Sequence, residues 1–194
     1  NTLNVTISAT VSDTSGTNES SITMTVDGVA VDHTYDPATG VVSYVAVLAE
    51  GLHTVSLDVS DTVGNSNSAS WSFTVDTTSP VISNVAISDV TATSATITWT
   101  TNELADSVVN YGDSTLLGSS TSDSTLVINH SITLTGLTPD TTYYFEVQST
   151  DAAGNTAVDN NGGLYYSFTT SAAKLMHVAS IEMSTNVIRL NGWY

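Results

Sequence analysis

A repeat spacing of 90 residues constrains this chain more than any other feature. Tyr143, Phe145 and Val147 alternate with Tyr144, Glu146 and Gln148, the period-2 pattern of a half-buried strand. Asp151, Gly154 and Asn155 then close that strand with a turn, the Asp as a cap and the Gly free to take positive φ. Ninety positions earlier His53, Val55, Leu57, Val59, Asp61, Gly64 and Asn65 occupy the matching places. A chain of 194 residues with this period reads as two tandem all-β sandwiches of ordinary domain size.

Charge narrows the function classes. The formal net charge is −17, and the two basic residues, Lys174 and Arg189, both lie in the last 23 residues. Residues 1–171 hold 18 acids and no Lys or Arg. Such a body repels phosphate backbones and anionic lipid surfaces, so nucleic acid is excluded as a partner. Charged residues are only 11% of the chain, and Ser and Thr supply most of the polarity, as in secreted stalk-like modules. Cysteine is absent, so no disulfide supports either unit. No apolar run reaches the roughly 18 residues of a membrane span. No charged-plus-apolar leader opens the chain, which reads as a mature form or a fragment.

Along the first unit, Leu3, Val5, Ile7, Ala9 and Val11 mark a strand and residues 13–18 a loop. Ile22, Met24 and Val26 lead to the Asp27-Gly28 hairpin signal, and Val29 and Val31 return. Residues 36–40 make a turn, 41–48 and 52–60 are strands, and Trp71, Phe73 and Val75 end the unit. Gly51 to Val55, the Asp61 to Asn65 turn and the run from Trp71 to Pro80 resemble bacterial and archaeal Ig-like modules strung along surface proteins. Asp76 to Pro80 is a short linker whose Pro predicts two units held end to end.

In the second unit, residues 81–87 begin the fold, and Ala95, Ile97 and Trp99 repeat Val5, Ile7 and Ala9 at the same spacing. Trp99 together with Leu137, Pro139, Thr141 and Tyr143 resembles the fibronectin type III pattern over residues 80–171. That resemblance implies a tyrosine corner, in which the Tyr143 hydroxyl bonds back to upstream backbone. No Arg-Gly-Asp occurs, so integrin-type adhesion is not implied.

The expected division is therefore 1–77, an Ig-like sandwich; 78–171, a fibronectin type III-like sandwich; and 172–194, a strand tail. The first unit has almost nothing before Val5, whereas the second has about 15 residues before Ala95, so the first lacks an opening edge strand. Residues 178–182 echo residues 85–89, so the tail reads as the opening strand of a further module or as a strand donated to the incomplete first unit of another copy. A head-to-tail contact of that kind does not close and builds a filament.

No catalytic constellation emerges. Gly112-Asp113-Ser114 follows a β run and reads as a turn, not as a nucleophile elbow. His33, His53, His130 and His177 show no metal spacing, and His53 is expected at the corner, bonded to backbone. Asp58 with Asp61 has the composition of an acid–base pair but lies at a strand end and a turn. Calcium is the one ion the residues suit, because Asp and Asn oxygens at loop ends can supply its ligands. Asp13, Asp61, Asn65 and Asp76 are candidates in the first unit, and Asp151, Asn155 and Asp159 in the second. Asn4, Asn18 and Asn129 begin glycosylation sequons. Trp71, Trp99, Tyr143, Phe145 and Phe168 fall on inward parity, while Tyr144, Tyr165 and Tyr166 include outward positions where a glycan can stack. The expectation is a non-enzymatic extracellular scaffold, a stalk, fibre or surface-layer block, with copies of itself or adjacent domains as partners and no cofactor beyond calcium. An adhesin or carbohydrate-binding accessory module is the alternative.

Overall fold

The computed structural model describes residues 4–174, 180–184 and 187–191. The chain divides into two units, Asn1–Thr78 and Ser79–Tyr194. Among the described residues the regular elements are antiparallel strands and two single 3-10 turns, Glu19–Ser21 and Asn161–Gly163. No helix among them is long and apolar enough to cross a membrane.

The first unit is built from β1 (Asn4–Thr10), β2 (Thr23–Val26), β3 (Val29–Ala30), β4 (Thr34–Asp36), β5 (Val41–Val47), β6 (Gly51–Ser60) and β7 (Ser66–Val75). One sheet has the order β1-β5-β4 and the other β3-β2-β6-β7. The period-2 apolar positions turn inward: Ile7, Met24, Val26, Val42, Val55 and Leu57 are buried together with Ile22, and half-buried Trp71 and Phe73 pack on them. Gly40 sits at φ +71° beside β1, where a Cβ would collide with the Val11 carbonyl oxygen. The close approach is held by the Val11 N–H donating to the Gly40 carbonyl at 2.8 Å, so only glycine fits.

The second unit contains β8 (Ile82–Ser88), β9 (Ser94–Gly112), β10 (Ser119–Thr135), β11 (Thr142–Thr150), β12 (Thr156–Asp159) and β13 (Tyr166–Thr169). β9 runs unbroken from Trp99 through Asn102 and Glu103 to Tyr111. Its first half pairs with β8 and the end of β10. Its second half pairs with β11 and the start of β10. A register shift between Asp123 and Asn129 lets β10 follow β9 from one layer to the other. The layers enclose Ala95, Ile97, Trp99, Val109, Ile132, Leu134, Leu137, Phe145, Val147 and Phe168.

The tail differs from the single strand expected. β14 (Ser180–Ser184) and β15 (Val187–Asn191) form a two-stranded antiparallel sheet of their own. Two residues separate the runs, the spacing of a tight hairpin.

Candidate functional site

Two corners anchor the long strands. Tyr143 opens β11, and its hydroxyl accepts the Thr138 N–H at 3.1 Å. Its ring stacks on Phe168 at 5.8 Å. This is the tyrosine corner that the second unit's motif implies. At the matching place in the first unit, His53 Nε2 lies 2.7 Å from the Ala49 carbonyl oxygen and Nδ1 lies 2.7 Å from Asp27 Oδ2. A carbonyl and a carboxylate only accept, so this setting favours a ring that donates from both nitrogens. The Ala49 carbonyl first, and the Asp27 carboxylate second, hold its pKa above the ordinary 6.5. The His53 side chain in turn, with the Thr54 N–H, holds Asp27 below the ordinary carboxylate value. The hairpin tip at Asp27 is thereby pinned to the start of β6.

The Asp-Gly-Asn turns repeat atom for atom. Asp61 Oδ1 accepts the N–H groups of Val63 at 2.9 Å and Asn65 at 2.8 Å, and Oδ2 accepts Asn65 Nδ2 at 2.6 Å. Asp151 Oδ1 accepts Ala153 N–H at 2.8 Å and Asn155 N–H at 2.9 Å, and Oδ2 accepts Asn155 Nδ2 at 2.9 Å. The Asn65 side chain is the main cause lowering the Asp61 pKa. Burial pushes Asp151 up, but the donors of Asn155, Ala153 and Gly154 together outweigh it and lower its pKa as well.

These contacts rearrange the calcium candidates. Asp13 and Asp61 with Asn65 line one cleft of the first unit. Asp76 does not join them: it follows Val75, which pairs with Gly51 at the end of the β6–β7 ladder opposite to Asp61. In the second unit Asp159 pairs with Val147, three positions along the ladder from Thr150 and its turn. Its Oδ2 accepts the Tyr166 hydroxyl at 2.9 Å. N–H donors already point at the carboxylate oxygens of Asp61 and Asp151, and Asp13 Oδ1 accepts the Ser15 N–H at 2.7 Å. Such donor-facing oxygens close turns.

A buried polar network missed at the level of sequence lies inside the second unit. Trp99 Nε1–H donates to Ser149 Oγ at 2.9 Å. His130 stacks on Trp99 with centroids 4.9 Å apart and planes 4° from parallel. The Thr101 hydroxyl proton is committed to the Glu103 carbonyl, so His130 Nε2–H donates to Thr101 Oγ1 at 2.9 Å. Nδ1 is then free to accept the Ser107 hydroxyl at 2.8 Å. Burial lowers the pKa of this ring below the ordinary 6.5, which favours its neutral form.

The remaining candidates resolve into structure. Asp58 pairs with Thr23 and Ser68 in the ladders of the first unit. Gly112 ends β9, and Asp113 and Ser114 bend into a turn closed by Leu117 N–H on the Ser114 carbonyl. Tyr166 is not an outward platform: it stacks on Phe145 at 5.4 Å and packs on the core. Tyr165 is half-buried with φ +58°. Tyr144 lies half-buried between Gly112 and Ser167. Asn4 and Asn129 are exposed on β1 and β10, and Asn18 is half-buried with its Oδ1 accepting the Ser20 hydroxyl at 2.8 Å. His33 is half-buried, and His177 lies outside the described residues.

One opening in the first unit remains. Among the described residues β1 pairs only with β5, and its other edge has no ladder. Beside it a cleft of about 340 Å³ runs between the end of β1 and the first half of β7, floored by Leu57, Val59 and Ala69.

The family description "Purple acid Phosphatase, N-terminal domain" matches residues 80–170. Chitinase A1 of Niallia circulans is 30% identical over 133 residues, 63% of this chain and 18% of that protein. The chain thus spans less than a fifth of that relative's length. Domains A168–A170 of titin superpose with a TM-score of 0.58 at 16% identity, covering 80% of this chain and 56% of theirs. The FN1–FN3 domains of chicken CNTN1 give a TM-score of 0.47 at 16% identity, over 77% of this chain and 54% of theirs. The likeness to titin shows the fold: this chain is a tandem of Ig-like and fibronectin type III-like sandwiches.

Proposed function

We propose that this chain is a non-catalytic structural module of a larger extracellular protein, a tandem of sandwiches that bears load and sets distance between other parts. The observation that supports the reading is the Asp61 turn and its copy at Asp151, with the same acceptor atoms and the same donors. The polar groups that a catalytic reading would recruit are spent on turns, corners and a sealed core network. In its finer form, the tail strand of one copy completes the first unit of the next and the modules build a filament. The test is stretching single chains. Each unit should rupture as one event, the first releasing the roughly 26–28 nm extended length of its 78 residues less the span of the folded unit. Gradual extension without discrete ruptures would overturn the load-bearing role.

The match to a chitinase favours a second reading, an accessory region of a secreted carbohydrate-active enzyme. Depletion of the chain from solution by insoluble chitin would support it over the scaffold. Among the described residues the aromatics do not form an exposed row, so the scaffold reading expects the chain to stay in the supernatant. N-glycans on Asn4, Asn18 and Asn129 fit either reading, and intact-mass measurement of the natively expressed chain tests them.

A further inference from the structure

Three segments of the first unit meet at the His53 ring. Nδ1 faces Asp27 Oδ2 in the β2–β3 turn, and Nε2 faces the Ala49 carbonyl oxygen in the connection from β5 to β6, each at 2.7 Å. The ring centroid lies 5.8 Å from that of Phe73 on β7. With its side chain 9% exposed, the ring has little access to water as a substitute for either partner.

The connection passes the constraint on. Glu50, next to Ala49, accepts the Thr78 hydroxyl at 2.8 Å on Oε1 and 2.7 Å on Oε2, and the Thr77 hydroxyl at 3.2 Å. Thr77 and Thr78 follow the end of β7 at Val75 and are the last residues of the first unit. A continuous run of contacts thus leads from the ring, through Ala49 and Glu50, to the segment by which the chain leaves the unit.

The two ring contacts respond differently to loss of a proton. A neutral imidazole keeps one N–H. The Asp27 carboxylate is the stronger acceptor, so that N–H stays on Nδ1. Asp27 is also fixed from its other side: its Oδ1 accepts the Thr54 N–H at 2.8 Å, and its own N–H donates to the Thr54 carbonyl at 2.8 Å. Nε2 then turns a lone pair on the Ala49 carbonyl oxygen, and two acceptors at hydrogen-bond distance repel.

We propose that His53 is a proton-operated clip on the β5–β6 connection: with a proton on Nε2 residues 48–50 are held and Glu50 steadies Thr77 and Thr78, and without it the connection and the exit segment loosen together while the core stays folded. The carboxylates around the ring are Asp27 from the β2–β3 turn and Glu50 from the connection; β7 carries no charged residue before Asp76 beyond its end, and Asp58 of β6 has the opposite parity to His53. Because its partners raise the pKa of His53, release falls on the alkaline side of 6.5. The clip deepens the load-bearing reading and rests on it for its use, since it makes the stiffness of the unit's exit depend on pH.

The test is backbone relaxation by NMR on the full 194-residue chain at about pH 5.5 and about pH 8.5. Order parameters of residues 48–50 and 77–78 should fall together, from about 0.85 in acid toward about 0.6 in alkali, with a midpoint that follows the His53 ring resonances, while the core amides of β6 stay unchanged. His53→Gln cannot titrate and should remove the pH dependence at both places. Thr77→Val combined with Thr78→Val cuts the run at its last step: residues 77–78 should be mobile at both pH values while 48–50 still switch. That variant and the midpoint serve if His53→Gln does not fold. Equal order parameters of 48–50 at both pH values would overturn the clip, as would a pH response retained in His53→Gln, or a loosened connection that leaves 77–78 unmoved. None of these touches the load-bearing reading, which is judged by rupture under force, and gradual extension under force would remove the use of the clip without removing the switch.

Discussion

Replacing Ser149 by alanine should damage the second sandwich far more than loss of one surface-sized hydroxyl suggests. Ser149 is completely buried, Trp99 is 1% exposed, and the hydroxyl accepts the indole N–H at 2.9 Å. Alanine removes an oxygen and opens little space, so the cost is that of a buried donor left without a partner, about 2 kcal/mol within a range of about 1–3. For a sandwich of about 90 residues that lowers the melting temperature by roughly 8–16 °C. Calorimetry on the whole chain reads the two units as separate transitions, and only the second should move. A double-mutant cycle isolates the cause. In a Trp99→Phe background there is no indole N–H to orphan, so Ser149→Ala should then cost almost nothing. A Ser149→Ala penalty below about 0.5 kcal/mol, or one that persists unchanged in the Trp99→Phe background, would refute the network as described.

The two units should respond to pH in opposite directions. His53 has a raised pKa, so its contribution is complete below its unfolded value of 6.5 and is lost as pH rises through the folded one. His130 has a lowered pKa, so its contribution is complete above 6.5 and is lost as pH falls toward the folded value. Calorimetry between about pH 5 and 8 should therefore show the first transition falling at the alkaline end and the second at the acid end; His53→Gln and His130→Gln should each flatten their own limb. Asp61→Ala and Asp151→Ala should each destabilise only their own unit and should do so by similar amounts in urea unfolding, because the bonds lost are the same. If either turn held calcium with a Kd of about 1 mM, adding about 10 mM would stabilise that unit by about 1.4 kcal/mol; the turn geometry predicts no such shift. Gly40→Ala should cost at least about 1 kcal/mol, since it meets both a positive φ and the Val11 carbonyl.

What sequence reasoning reached was local or periodic. The 90-residue spacing, the inward parity of Val55, Leu57, Phe145 and Val147, and the Asp-Gly-Asn turns depend on neighbours a few positions away, and each could be read directly. The His53 corner also followed, because the repeat placed it where Tyr143 stands. The misses lie where distant segments meet. β9 continues through Asn102 and Glu103 between ladders that reach Thr101 on one side of them and Ala105 on the other. The His130 network joins residues 23 to 50 apart in sequence, a separation at which periodicity carries no signal. Asp76 was grouped with Asp61 because both end strands, but a ten-pair ladder puts them at opposite ends of the sheet.

The same distinction bears on function. A catalytic centre would be a convergence of distant polar groups, invisible to a periodic reading, and one such convergence among the described residues is sealed around Trp99. There the Trp99 indole meets Ser149, and both His130 ring nitrogens meet hydroxyls, of Thr101 and Ser107. Setting one unit against the other shows a further difference: Thr98 has Ala86 across from it, and Ser8 has no residue in that place among the described ones. In a tandem protein the copy is the control.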